Sequence, residues 1–247
     1  MSAVQTYTYK ISAFQTDASG QLFVYQLLNL LQDAAHMHAD GFGFGQKQLV
    51  RHDLFWVLSR LTIEILSLPE HGDKIILSTW VKSIRGTISE REFSVARGDE
   101  SLINASSLWF CLSSLTNKPA RLPGEYGNLM EIEDAYATAN GSEKVISSEK
   151  QPESSNGTSM TARYSDIDMV DHVNNATYMR WMMDEIPESY HQHKTLVKLN
   201  INYLGQAFLG EEVGVSHSLI QQSNLLHEIT NSGSKEVICR AQSIWQN

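Results

Sequence analysis

The sequence has little cysteine and no long apolar run. Its 247 residues include two cysteines, Cys111 and Cys239, and no Cys-x-x-Cys pair, which argues against a cysteine metal site or a disulfide framework. No apolar run approaches the roughly 18 residues of a membrane span, and residues 1–10 contain no apolar signal-peptide core. These absences predict a soluble cytoplasmic protein.

Positive charge is also scarce. The chain has 19 Lys and Arg against 28 Asp and Glu, a net charge of −9, which argues against a nucleic-acid partner because phosphate binding needs a basic surface. The sequence lacks a Gly-Lys-Ser/Thr phosphate loop and a His-Glu-x-x-His zinc motif, so we expect no metal and no cofactor. We interpret four histidines as surface or helix-side residues and not as metal ligands: His36, His38, His52 and His71.

What the sequence does have is a dense polar cluster between Ser165 and Tyr178. A helix-like run follows at once, so the unpaired N–H groups of a helix start lie beside groups that can transfer protons. This combination suits acyl-transfer chemistry, in which the helix start polarises a carbonyl oxygen. Acids and asparagines ahead of a helix are also ordinary caps, so spacing leaves both interpretations open. The cluster consists of Asp166, Asp168, Asp171, His172, Asn174 and Asn175.

The chain also repeats itself. The repeat predicts a first domain over residues 1–138, a linker rich in Ser, Gly and Asn over 139–158, and a second domain over 159–247. Three landmarks recur in the same order: Asp17 and Asp168 (offset 151), Gly72 and Gly210 (offset 138), and Trp109 and Trp245 (offset 136).

Each repeat contains one helix-like segment followed by several strand-like runs, which predicts an antiparallel α+β fold. The helix of the first repeat is predicted from about Phe23 to His38, ahead of a glycine-rich stop. The predicted strands are Thr6–Ala13, Leu54–Ser67, Lys74–Ser83, Arg91–Arg97 and Leu102–Ser113 in the first repeat, and Ser159–Ser165, Val197–Leu204, Glu212–Ile220, Leu225–Ser232 and Glu236–Trp245 in the second.

The motif Asp-x-Asp-x-x-x-His-Val-Asn-Asn-x-x-Tyr, which here runs from Asp166 to Tyr178, resembles the signature of the acyl-ACP thioesterases of the plant type and their bacterial relatives. Phe55–Arg60 and Ser78–Val81 resemble further segments of that family. The resemblance implies a tandem (double) hotdog, in which antiparallel sheets wrap around long central helices. It also implies a thiolester hydrolase of fatty acid biosynthesis that cleaves fatty acyl-ACP to free fatty acid and ACP.

By this resemblance, Asp168 and His172 fall on the catalytic Asp and His of the family. Asp168 would attack the thioester or activate a water, and His172 would orient water or pass a proton to the leaving thiol. Backbone N–H groups around Val173 to Ala176 would form the oxyanion hole. The further predicted site residues are Asn174 and Asn175, as caps or site partners, and Gln206, as a water-positioning residue.

Three positions depart from the family pattern. Val170 stands where the family often has Asn, and Gln206 and Ala207 stand where the plant pattern has an acid followed by Cys. A cysteine nucleophile is therefore excluded at that place, and Asp168 and His172 remain as the shared chemistry.

The first repeat lacks an Asp and His pair that could transfer protons, because Gln21 occupies the position that matches His172. We therefore predict one active site, carried by the second repeat, and an acyl pocket supplied mainly by the first. The predicted pocket residues are Trp56, Trp80, Leu27 and Leu31, for which plain core packing is the alternative interpretation.

Two other functions stay open: an acyl-CoA thioesterase of the same fold, and a non-catalytic acyl-binding regulatory protein. The expected partner is acyl carrier protein, which is acidic and would dock on a basic face. Both a monomer and a homodimer are compatible with a tandem chain. The candidates for the basic face, chosen by charge alone, are Arg85, Arg91, Arg180, Lys194 and Lys198.

Overall fold

The structure, a computed structural model, describes residues 3–123, 135–146, 157–221 and 223–247. The chain divides into two compact units, Met1–Ser142 and Glu143–Asn247, which we call the first and second unit. Within the described ranges, no helix is both long and apolar enough to cross a membrane.

The first unit begins with a strand and a long helix, and the remaining strands follow. Its helices are α1 (Val24–Gly41) and α2 (Gln46–Leu49), and its strands are β1 (Gln5–Lys10), β2 (Leu54–Ile65), β3 (Lys74–Arg85), β4 (Ile88–Arg97) and β5 (Glu100–Ser113).

The second unit repeats this order with a shorter main helix. Its helices are α3 (Asn175–Asp184) and α4 (Glu188–His193), and its strands are β6 (Thr158–Thr161), β7 (Thr195–Tyr203), β8 (Glu212–Gln221), β9 (Asn224–Asn231) and β10 (Val237–Gln246).

The strands of both units are antiparallel and have the same spatial order. The order is β1-β3-β4-β5-β2 in the first unit and β6-β8-β9-β10-β7 in the second. Replacing each strand by its counterpart in the other repeat converts one order into the other. In register, Glu92 of β4 lies opposite Ser106 of β5, and His217 of β8 lies opposite His227 of β9.

The helix of the first unit buries an apolar stripe against its sheet, and α1 contacts β3. Full burial of one leucine side chain contributes roughly 2 kcal/mol. The helix extends past the predicted end at His38 to Gly41, because Ala39 joins Phe44 and Val81 in a buried cluster. The buried residues of the stripe are Leu27, Leu28, Leu30, Leu31, Ala34 and Ala35.

The predicted α+β class and each predicted strand are confirmed. Strands β1 and β6 end earlier than predicted because a short 3₁₀ segment follows each. The Gln15 side chain accepts the N–H of Ser12 at 2.9 Å, and the Asp166 side chain accepts the N–H of Arg163 at 2.8 Å. Helices α2 and α4 were not predicted, because segments this short show no clear helical period.

The predicted linker 139–158 is described only in part, since residues 147–156 lie outside the described residues. Its described part bonds to β7 within the second unit. The Lys198 ammonium contacts Glu143 at 2.7 Å, and the N–H of Val145 donates to the Asn202 side chain at 3.1 Å. Residues 143–145 therefore pack as part of the second unit.

Candidate active site

Asp168 organises a tight turn ahead of α3. Its Oδ1 accepts the N–H of Val170 at 2.9 Å and that of His172 at 3.4 Å, and its own N–H donates to the His172 carbonyl at 2.8 Å. Asp171 closes the turn in the left-handed region, with φ of 61°. The backbone of His172 is therefore held beside the carboxylate that the sequence analysis paired with it.

The first unit contains the same turn without the histidine. Asp17 Oδ1 accepts the N–H of Ser19 at 2.8 Å and that of Gln21 at 3.0 Å, and the Asp17 N–H donates to the Gln21 carbonyl at 2.8 Å. Gly20, with φ of 88°, matches Asp171. Because Gln21 makes the same backbone bonds as His172, the fold of the turn explains the aspartates but not the histidine.

Asp166 is a buried structural acid. Only 3% of it is exposed, and its carboxylate pairs with the Arg180 guanidinium at 2.5 Å. Its carbonyl also accepts the N–H of Asn174 at 2.8 Å, as the Gln15 carbonyl accepts that of Phe23 in the first unit. The ion pair therefore ties the signature segment to the second turn of α3.

The start of α3 is capped by Asn174, whose side-chain oxygen accepts the N–H of Ala176 at 2.8 Å. The N–H of Asn174 donates to Asp166, and that of Val173 donates to the Ala207 carbonyl at 2.9 Å. Three N–H groups of the predicted oxyanion hole, those of Val173, Asn174 and Ala176, therefore already have acceptors in the protein. These N–H groups bond within the protein at the helix start, although they were predicted to bind the carbonyl oxygen of the substrate.

The loop after β7 is bonded directly to this helix start. The N–H of Ala207 donates to the Tyr178 hydroxyl at 2.8 Å, and Tyr203 donates to the Asn175 carbonyl at 3.2 Å. Burial raises the pKa of Tyr178 well above its usual range. Gln206 precedes Ala207 in this loop and is exposed. Tyr178 belongs to the signature, but no pattern in the sequence predicts this bond.

Phe208 is a site neighbour that the sequence analysis missed. Its ring lies 5.1 Å from the His172 imidazole, centroid to centroid, at an interplanar angle of 67°. Phe208 lies outside the signature, and no pattern in the sequence marks it.

The first unit contains a small cavity beside α1. Of the four predicted pocket residues, Leu31 lines this cavity, whereas Leu27 is buried elsewhere in the packing of α1. Trp56 packs against the cluster of Leu49, Leu54 and Cys111. Trp80 lies on the other face of β3 from the buried Thr79 and Val81, and its indole donates to Ala135 at 3.3 Å. The lining consists of Leu28, Leu31, Gln32, Leu58, Leu61, Phe93, Ser107 and Trp109.

Four of the five basic residues chosen by charge alone are engaged by neighbours within their own unit. Arg91 is only 5% exposed and donates to Thr79 at 3.2 Å inside the first unit, so its choice as a docking residue was wrong. Arg180 is paired with Asp166, and Lys194 bonds to the Ser223 side chain at 2.9 Å. Across the described ranges, no group of three or more His, Cys, Asp and Glu side chains could hold a metal ion.

The sequence matches two family descriptions that together cover most of the chain. The acyl-ACP thioesterase N-terminal domain matches residues 2–130, and the acyl-ACP thioesterase C-terminal domain matches residues 149–247.

Curated plant proteins are similar to most of this chain. It is 25% identical over 207 residues to the chloroplast acyl-[acyl-carrier-protein] hydrolase FATB2 of Cuphea viscosissima. It is also 25% identical over 207 residues to the chloroplast palmitoyl-acyl carrier protein thioesterase of Arabidopsis thaliana. Each alignment covers 79% of this chain and 50% of the relative, so the chain spans about half the length of these relatives.

Solved structures share the whole fold. An acyl-ACP thioesterase from Bacteroides thetaiotaomicron matches with a TM-score of 0.89 at 30% identity, over 99% of this chain and 98% of that one. The 12:0-ACP thioesterase from Umbellularia californica also matches with a TM-score of 0.89, at 20% identity over 100% and 98% of the two chains, a likeness that shows the fold alone. The predicted α+β tandem hotdog is confirmed.

Proposed function

This chain belongs to the acyl-ACP thioesterase family, and from that premise we propose that it hydrolyses fatty acyl-ACP to free fatty acid and ACP. One observation carries the proposal: two turns with the same backbone bonds end in different side chains, His172 in the second unit and Gln21 in the first. The fold of the turn does not require an imidazole there, whereas thioester hydrolysis needs a group that transfers protons.

In the proposed reaction, water adds to the thioester carbonyl carbon and the carbon–sulfur bond breaks. Asp168 accepts the proton that the water loses, or its carboxylate attacks first and water then hydrolyses the acyl-enzyme. His172 orients the water or donates a proton to the leaving thiolate and is reprotonated after the thiol leaves. The exposed amide of Gln206 positions the water.

The two oxygens of Asp168 divide its structural and chemical roles. Both backbone donors reach Oδ1, which therefore anchors the turn. Oδ2 is the oxygen that we assign to chemistry. A carboxylate held in this way reaches the substrate without losing its position, which is the requirement for an oriented base or nucleophile.

The negative charge that develops on the carbonyl oxygen is placed at the N-terminal end of α3. The aligned peptide dipoles give this end a partial positive charge. Asn174 caps the helix start. The side-chain amide of Asn175, at the first helical position, is proposed to donate a hydrogen bond directly to the carbonyl oxygen.

The cavity of the first unit is the proposed acyl site. Six of its eight lining residues are Leu, Phe or Trp, which suits an alkyl chain. We expect Leu31→Phe to shift the preferred substrate toward shorter chains because it fills part of the cavity. The matched control is Leu66→Phe, since Leu66 is 69% exposed and does not line the cavity. An unchanged preference in Leu31→Phe would contradict this assignment.

The test of the function is thiol release from a panel of acyl-ACPs and acyl-CoAs of increasing chain length. The proposal expects hydrolysis of acyl-ACP with the higher kcat/KM. Preference for acyl-CoA would overturn the choice of carrier, and release from no thioester would overturn the hydrolase. The assay has a low background, because both cysteines of the chain are buried.

A further inference from the structure

Among the residues that the structure describes, the imidazole of His172 has no hydrogen-bonded partner that orients it. Its backbone is fixed by Asp168, but among the described residues no side chain or carbonyl bonds to either ring nitrogen. The ring contact that the structure does provide is the edge-to-face packing of Phe208 at 5.1 Å. A histidine that handles protons needs a defined ring orientation, which a neighbouring group normally supplies.

Phe208 is itself held firmly to the site. Its N–H donates to the Glu211 carboxylate at 3.1 Å, and its carbonyl accepts the N–H of Glu211 at 3.1 Å. The preceding residue, Ala207, bonds to Val173 and Tyr178 on the other side of the loop. The backbone at Phe208 is therefore tied to the helix start that follows His172, although 45% of the residue is exposed.

The first unit shows what this loop needs in order to fold. Glu70 occupies the position of Phe208, its N–H donates to the Asp73 carboxylate at 2.9 Å, and its carbonyl accepts the N–H of Asp73 at 3.0 Å. Gln21 and Glu70 form an isolated bridge at this place. Because the same backbone bonds form with glutamate, the loop does not require a half-exposed phenylalanine. The aromatic ring occurs in the repeat that has a histidine for it to contact.

We infer that Phe208 is a positioning residue that sets the orientation of the His172 imidazole, an inference that rests on the proposed function of the same site. Edge-to-face packing favours one ring orientation over others and acts within the turn that Asp168 already holds. Phe208 acts through His172 and itself transfers no proton.

A double-mutant cycle in the full chain tests this role. Phe208→Leu lowers kcat for thioester hydrolysis by about tenfold with little change in KM, and Phe208→Tyr restores most of the activity. In a His172→Ala background, Phe208→Leu has no further effect, because the ring has no imidazole to orient. An equal loss in both backgrounds would overturn the inference. Leu209→Ala is the matched control, an exposed apolar residue on the same loop.

A second readout does not need activity. In NMR spectra of the wild-type protein, the His172 ring protons carry a ring-current shift that disappears in Phe208→Leu and persists in Phe208→Tyr and Leu209→Ala. His172 signals that are unchanged in Phe208→Leu would overturn the inference. If the wild type hydrolyses no thioester, the proposed function fails, and this NMR comparison still decides whether Phe208 orients the imidazole.

Discussion

Asparagine substitution at the two matched aspartates separates the chemistry of Asp168 from its role in the turn. An asparagine oxygen can accept the same backbone N–H groups, so the turn survives while the carboxylate is lost. Asp168 accepts two such bonds, at 2.9 and 3.4 Å, and Asp17 accepts two, at 2.8 and 3.0 Å, besides the Ser19 hydroxyl at 2.6 Å.

The expected magnitudes follow from these bonds. Each bond contributes about 1 kcal/mol, so Asp168→Ala lowers the free energy of unfolding by about 1–2 kcal/mol and Asp17→Ala by about 2–3 kcal/mol. The asparagine variants lose less than about 1 kcal/mol each. Loss of the proton-handling carboxylate lowers kcat by about 10²- to 10⁴-fold in Asp168→Asn, and Asp17→Asn keeps wild-type activity.

Two measurements on the same four variants check this reasoning. Urea unfolding gives the free energies, and thiol release from acyl-ACP gives kcat. Asp168→Asn with activity within about threefold of wild type would refute the catalytic role of the carboxylate. An equal loss of activity in Asp17→Asn would refute the prediction of a single active site in the second repeat.

Three further predictions concern buried groups. Arg180→Met leaves the buried Asp166 carboxylate without its counterion and lowers the free energy of unfolding in urea by about 2–3 kcal/mol. Arg180→Lys recovers part of this stability. An unchanged free energy of unfolding in Arg180→Met would contradict a structural ion pair. Burial raises the pKa of Glu92 from 4.5 to about 7, so the folded state binds its proton more tightly and stability falls as pH rises from 4.5 through 7. In Glu92→Gln, urea midpoints between pH 5 and 8 should lose this decline, and an unchanged decline would exclude Glu92 as its source. Cys111 and Cys239 are buried, and burial raises the pKa of Cys111 to about 11. The native chain should therefore not react with a thiol reagent, whereas the unfolded chain should react at two sites. Rapid labelling of the native chain would contradict the burial of the two thiols.

The strands and the main helix of the first unit were predicted from local patterns. Alternation of apolar and polar residues located each strand, and the apolar stripe from Leu27 to Ala35 located α1. The matched aspartates, Asp17 and Asp168, marked equivalent turns, because a side chain that bonds two residues ahead acts over a few residues of chain. These features depend on interactions that sequence spacing encodes.

Other features of the site depend on residues far apart in the chain. The bonds of Ala207 to Val173 and Tyr178 join a loop after β7 to the start of α3, and they use a donor that spacing had assigned to substrate. The contact of Phe208 with His172 has the same origin, since 36 positions separate the two residues. No local period encodes such a contact.

The sequence by itself determined the repeat and the α+β class, because both depend on local periodicity, whereas the pairing of Asp168 with His172 came from the family resemblance. The tertiary structure alone decided which helix-start N–H groups are already used, which residues line the cavity of the first unit, and which ring lies against His172. Those outcomes depend on how loops and sheet faces pack against each other. Side chains that are distant in the sequence come into contact only in the tertiary structure.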